Sequence, residues 1–156
     1  MVLKAGSKAP SFTLPSDSGE KIKLSDFKGK KLIIFFYPKD DTPGCTKESI
    51  EFTKYQTKFL KFDTNVIGIS KDPIEKHLKF KNKHSLKITL LSDENNKVCS
   101  KYDVWKEKLN YGKKYFGIER TTFLINEQSS IIKIWHKVKV KDHVKEVFEY
   151  AKGIKR

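Results

Sequence analysis

Arginine is almost missing from this chain. Of 33 basic residues only Arg120 and Arg156 are arginine; the rest are lysine, against 19 acids, for a net charge of +14. Specific reading of bases or phosphates favours the flat, forked guanidinium, so no specific nucleic-acid partner is expected. The lysines are spread along the chain and mixed with acids. That pattern describes a solvated surface, with weak sticking to polyanions at low salt. Long hydrophobic runs are also missing. The longest, Leu32 to Tyr37, is far short of the roughly 20 residues a spanning helix needs. Residues Met1 to Lys8 hold no stretch of signal-peptide length, so a cytoplasmic protein without a membrane partner is expected. Cysteine occurs only at positions 45 and 99. Two such residues make no secreted disulfide framework, and the absence of a Cys-x-x-Cys pair argues against dithiol oxidoreductase chemistry. His77, His84, His136 and His143 share no metal-ligand spacing and read as solvated or helix-facing. Neither a metal nor another cofactor is expected. With no repeat and no Gly/Pro/Ser-rich linker, residues 1–156 are expected to form one domain with a real core.

What is present is an alternation of strand and helix signals. Phe12 and Leu14, then Ile22 and Leu24, alternate with polar residues around Ser18-Gly19 and predict a small N-terminal hairpin. Ser25 to Lys30 reads as a turn. Leu32 to Tyr37, apolar without alternation, predicts a strand covered on both faces. A helix follows, carrying the stripe Phe52, Tyr55, Phe59 and Phe62, then a buried strand at Val66–Ser70. Asp72-Pro73 starts another helix anchored by Leu78, Phe80 and Leu86. Thr89–Leu91 predicts a short strand, and Ser92-Asp93 caps a helix with Val98, Cys99 and Tyr102. Residues 105–118 lack clear periodicity and read as a loop. Thr121–Ile125 and Ile131–Trp135 predict a hairpin, and Asp142–Lys152 a closing helix with Val144, Val147, Phe148 and Ala151 inward. The order predicts an α/β, thioredoxin-like sandwich with an N-terminal β-hairpin extension.

The chemistry gathers at Tyr37 to Glu48, where the apolar strand gives way to a helix starting around Pro43 to Thr46. A thiol at a helix start meets unpaired backbone N–H groups and the positive end of the dipole, which favour the nucleophilic thiolate. Thr42, three residues before Cys45, is close enough for its hydroxyl to bond the sulfur or a bound oxygen. Pro38 ends the strand and can roof the turn. Pro43 needs no N–H at a helix start, and Gly44 lets the backbone approach a small substrate. A cap threonine beside a small buried cysteine would explain the same residues without chemistry.

The stretch Phe36-Tyr-Pro-Lys-Asp-Asp-Thr-Pro-Gly-Cys-Thr-Lys-Glu48 resembles the active-site signature of the peroxiredoxins, most closely their bacterioferritin comigratory protein (Q-type) subfamily. Gly6-x-x-Ala-Pro-x-Phe12, Leu90-Leu-Ser-Asp93, Val104-Trp105 and Gly117-Ile-x-Arg-x-Thr-Phe-Leu-Ile125 follow in the family's order. The resemblance implies an antioxidant thiol peroxidase acting on hydrogen peroxide and organic hydroperoxides. Cys45 would be the peroxidatic nucleophile, Thr42 would hold the peroxide and Pro38 would shield it. Arg120 would stabilise the thiolate and the charge developing between the oxygens. Gly44 and Cys45 would add backbone donors, and Glu48 would orient the turn or the arginine.

The departures from the family concern the second half of the cycle. Many Q-type members carry a resolving cysteine five residues after the first, and this chain has Ile50 there. Another branch places it near the stretch occupied here by Phe80-Lys-Asn82. Cys99 is then either a buried hydrophobe or an unusual resolving residue. The expected reductant is external: thioredoxin, glutaredoxin or a low-molecular-weight thiol. A monomer is expected in preference to a large oligomer.

Overall fold

A computed structural model describes residues 3–153. A small hairpin of β1 (Thr13–Pro15) and β2 (Lys21–Lys23) precedes a 3-10 turn at Leu24–Phe27. The main sheet has five strands. In chain order they are β3 (Lys31–Phe36), β4 (Thr64–Ser70), β5 (Thr89–Ser92), β8 (Thr121–Ile125) and β9 (Ile131–Trp135), and across the sheet they run β5-β4-β3-β8-β9. β3, β4 and β5 are parallel, whereas β8 is antiparallel to both β3 and β9. The helices are α1 (Pro43–Leu60), α2 (Ile74–His84), α3 (Lys97–Lys101) and α4 (His143–Lys152). Among the described residues no helix is long and apolar enough to cross a membrane.

β3 is central and every residue of it is buried, which is why its sequence does not alternate. Period-two geometry nevertheless splits its side chains between two cores. Leu32, Ile34 and Phe36 join one cluster with Leu14, Val98, Cys99, Tyr102 and Phe123. Ile33, Phe35 and Tyr37 join the other with Cys45, Phe52, Phe59, Phe80 and the inner face of α4. α1, α2 and α4 thus cover one face of the sheet; α3 and the N-terminal hairpin cover the opposite one.

Several sequence expectations change. The N-cap of α3 is Asn96, while Asp93 accepts from the Val98 and Cys99 amides. Leu86 lies beyond the end of α2. Residues 105–118 form a two-stranded ribbon, not a loop: β6 (Trp105–Asn110) pairs antiparallel with β7 (Lys113–Ile118). Tyr111 and Gly112 both have positive φ (52° and 78°), as the two central residues of a tight hairpin turn require. Most of this ribbon is exposed, so no buried face imposed a periodic pattern on its sequence. Leu78 is exposed on α2, whose inward residues are His77 and Phe80. Phe62 lies beyond the end of α1 and is partly exposed. His77 and His143 are buried rather than solvated; His77 has partners at both ring nitrogens and His143 meets Thr122 through Nε2.

Candidate active site

The turn between β3 and α1 is fixed before any reactive group enters it. Tyr37 Oη donates to Asp40 Oδ1 at 2.6 Å, and His77 Nδ1 lies 2.6 Å from Asp40 Oδ2. The other ring nitrogen, His77 Nε2, faces the Leu91 carbonyl at 3.0 Å. A carbonyl only accepts, so Nε2 carries a hydrogen. The Asp40 amide donates to Asp72 Oδ2 at 2.8 Å, and Ser70 Oγ donates to the same oxygen. Burial, and then the nearby Asp40 carboxylate, push the Tyr37 phenol above its ordinary value, so it stays a donor. Next along the chain, Asp41 adopts positive φ and its carboxylate meets Lys83 at 2.8 Å and His84 at 3.0 Å. Those hydrogen bonds, Lys83 first, hold its carboxyl below the usual range. The turn is thereby pinned to α2 from both of its aspartates.

α1 begins at the end of this turn. Thr42 is its N-cap with extended backbone, and Pro43 occupies the first helical position, where a missing N–H costs nothing. Thr42 makes no side-chain cap; its hydroxyl donates to the Lys39 carbonyl at 2.9 Å. That leaves its lone pairs free to accept. The first intrahelical bond runs from the Thr46 amide to the Thr42 carbonyl at 2.8 Å, so helix geometry leaves the Gly44 and Cys45 amides without a partner four residues back. Cys45 is fully buried beneath them and free of any disulfide.

Arg120 comes from the two-residue link between β7 and β8 and completes the site. Its Nη2 donates to Cys45 Sγ at 3.3 Å, and its Nη1 to Glu48 Oε1 at 2.8 Å. Glu48 lies one helical turn after Cys45, on the same face, and is fully buried. Its second oxygen, Oε2, has no partner among the described residues. Burial raises the Glu48 carboxyl to about 7 against the pull of Arg120. Burial also disfavours the Arg120 charge, but Glu48 and Cys45 together outweigh that and hold it above its ordinary value. Gly44 packs directly on this guanidinium: a Cβ there would sit 3.1 Å from Arg120 Nη2.

Of the sequence-predicted residues, Arg120 therefore meets Cys45, Glu48 and Gly44 at once. Thr42 stands at the helix cap, and Pro38, half-buried, opens the turn. Cys99 stands apart. It is fully buried in the cluster on the opposite face of the sheet from Cys45. Its amide donates to Asp93 Oδ2 at 2.7 Å, and burial followed by that carboxylate pushes its thiol far above the ordinary range.

Three neighbours of the site were not anticipated. Lys108 of β6 donates to the Ile118 carbonyl at 2.6 Å, and burial, then Arg120, lower its ammonium below the ordinary value. His143 meets Thr122 Oγ1 at 2.8 Å and is lowered to about 4, by burial first and Arg120 second. His77 holds the turn as described above. The Tyr111-Gly112 pair was the one signal pointing to the ribbon that carries Lys108; nothing in the sequence links His77 to Asp40 across the intervening strand.

The AhpC/TSA family model matches residues 5–134. Peroxiredoxin Bcp of Bacillus subtilis is 51% identical over 154 residues, covering 99% of this chain and 98% of that protein. Peroxiredoxin Bcp of Escherichia coli K12 is 41% identical over 150 residues, covering 96% of each. Among solved structures, the bacterioferritin comigratory protein of Xanthomonas campestris, described in connection with alkyl peroxide reduction, is similar with a TM-score of 0.90. It is 35% identical, with 96% of this chain and 98% of that one covered. A mutant of the Xylella fastidiosa PrxQ gives a TM-score of 0.92 at 33% identity, with 97% of each chain covered.

Proposed function

The chain belongs to the AhpC/TSA family as a peroxiredoxin of the Bcp type, and from that premise we propose that Cys45 is the nucleophile of its thiol peroxidase reaction. Peroxide is the oxidising substrate and a thiol is the reductant. The observation that carries the assignment is the Arg120 guanidinium, donating to Cys45 Sγ at a helix start while braced by buried Glu48. In the reaction the Cys45 thiolate attacks one peroxide oxygen. An S–O bond forms, the O–O bond breaks, and the other oxygen leaves as water or an alcohol after taking up a proton; Cys45 becomes a sulfenic acid. Arg120 and the Gly44 and Cys45 amides offset the negative charge spread over the two oxygens. Thr42, whose own hydrogen is committed to Lys39, accepts from the peroxide O–H. Pro38 keeps water off the reacting sulfur.

The sulfenic acid is reduced from outside the chain. Ile50 replaces the nearest resolving position, and Cys99 is buried across the sheet. Thioredoxin, glutaredoxin or a low-molecular-weight thiol then supplies the electrons, in a monomeric cytoplasmic enzyme. Peroxide consumption with dithiothreitol as reductant tests the assignment: wild type turns over and Cys45→Ser does not. Equal consumption by both would refute it.

A further inference from the structure

Most of the β6–β7 ribbon is exposed, and it runs directly into the link that carries Arg120. Its strands pair only with each other. Tyr111 at its tip is 97% exposed, Leu109 71% and Phe116 60%, and Tyr115 is also exposed. Exposed apolar side chains clustered on one element mark an interaction surface more often than a monomer's ordinary exterior. Between them stand four lysines against one glutamate. Lys106 meets Asp103 at 3.1 Å and Lys114 meets Glu107 at 3.8 Å; Lys113, beside the tip, has no acidic partner among the described residues. In the strand register Lys108 lies opposite Tyr115, and its ammonium holds the Ile118 carbonyl. Two residues further on, Arg120 touches Cys45 Sγ. One continuous stretch of chain thus carries aromatic anchors, positive charge and, two residues beyond the ribbon, the arginine of the site.

Resting on the peroxidase reading, we propose that the β6–β7 ribbon is the docking surface for the reductant, and that this reductant is an acidic dithiol protein. Aromatic anchors framed by charge are the usual chemistry of protein recognition, and a small thiol has no use for them. Charge decides between protein occupants. A second copy of this chain, also at +14, would set lysines against lysines, whereas an acidic surface is attracted and steered. Because Cys45 is fully buried, a protein thiol meets it only when the first turn of α1 opens. A partner held on the adjacent ribbon raises the local concentration of its thiol at each opening. The chemistry balances without another reagent. The partner's thiolate attacks the Cys45 sulfenic sulfur, an S–S bond forms, and the S–O bond breaks, the oxygen taking up a proton from solvent and leaving as water. The partner's second thiol then attacks its own sulfur in the mixed disulfide and releases Cys45 as the thiolate. The partner is oxidised by two electrons and the sulfenic acid reduced by two.

The test uses the full-length enzyme with an acidic thioredoxin as probe and dithiothreitol as the small-dithiol control. Two variants share the surface by different chemistry: Leu109→Ser with Tyr111→Ser, and Lys113→Glu with Lys114→Glu. Each is expected to raise the KM for thioredoxin at least tenfold while turnover with dithiothreitol stays within twofold. Added salt should raise the wild-type KM for thioredoxin and leave that of the lysine variant nearly unchanged. An unaltered thioredoxin KM in both variants overturns the docking proposal and leaves the peroxidase reading standing, as does a wild type that uses dithiothreitol but not thioredoxin. Sedimentation showing a dimer that the Leu109 and Tyr111 changes dissociate would hand the ribbon to a second copy and likewise overturn it. A wild type inert towards peroxide with either reductant sinks the peroxidase reading itself.

Discussion

Gly44 and Arg120 are in van der Waals contact, and a single methyl group on Gly44 would lie 3.1 Å from Arg120 Nη2. The glycine sits in the first turn of α1 with ordinary helical backbone, so its conformational freedom is not what the position requires. Its small size is: the guanidinium reaches Cys45 Sγ over the space a side chain would fill. Gly44→Ala should therefore separate activity from stability. Alanine is the better helix former by about 0.5–1 kcal/mol, so the melting temperature should hold or rise slightly. The displaced guanidinium should lower the rate constant for peroxide roughly tenfold or more. Stopped-flow oxidation and thermal melts on one preparation decide it; an unchanged peroxide rate constant would mean that the site has no such clearance limit.

Arg120 itself has two tasks, donating to Cys45 and bracing Glu48. Arg120→Met removes both and should lower the peroxide rate constant by about 10²–10³, the usual consequence of losing one preorganised donor. Arg120→Lys keeps the charge but offers no planar fork to span sulfur and carboxylate, and should recover less than a tenth of the wild-type rate. Full activity in the lysine variant would show that charge alone suffices.

Glu48 predicts a pH dependence of stability whose sign follows from its environment. Its ordinary value of 4.5 is raised to about 7 in the folded chain, by burial against the pull of Arg120. Between these values the native state binds more protons than the unfolded state. Stability therefore falls as pH rises from about 4.5 to about 7, by roughly 3 kcal/mol, and this contribution levels off above. Glu48→Gln retains an oxygen for Arg120 to bond and cannot ionise. Denaturant unfolding at a series of pH values should give a flatter slope for that variant within this window and parallel curves outside it.

How far the sequence exposes this molecule depends on burial. The central strand, α1 and α4 write their packing into apolar runs and stripes, and Val144, Val147, Phe148 and Ala151 all face inward as their spacing predicts. The turn holding Cys45 is legible because proline, glycine and threonine each mark a backbone event. The lone arginine of the described chain stands out against a lysine background, so Arg120 is legible too. The β6–β7 ribbon is not, because a segment mostly exposed, with no continuous buried face, has no reason to alternate. Nor is the clamp on the turn: a tyrosine, an aspartate and a histidine separated by 40 positions carry no spacing signal until the sheet brings them together.

The two cysteines supply the sharpest test of how the cycle closes. β3 projects alternate residues into the two cores, and Cys45 and Cys99 lie in different ones, so a bond between them requires the sheet or both helices to come apart. Cys99→Ser should leave turnover with an external thiol within about twofold. Its effect on stability should stay below the roughly 1–3 kcal/mol that an unpartnered buried hydroxyl costs, because the Asp93 carboxylate stands beside the side chain as an acceptor. Mass spectrometry after one equivalent of peroxide should find a Cys45 sulfenic acid and no Cys45–Cys99 crosslink in wild type. Ile50→Cys makes the converse case. Five residues apart on an intact helix, the two Cα atoms lie roughly 8–9 Å from each other, beyond the ~7 Å that a disulfide spans. A disulfide formed after peroxide between Cys45 and the thiol introduced by Ile50→Cys would therefore report the opening of the first turn of α1, the same motion an external thiol needs. If Ile50→Cys stays unbridged while dithiothreitol still turns wild type over, the sulfenic sulfur is reached in the closed helix, and reduction proceeds without that opening.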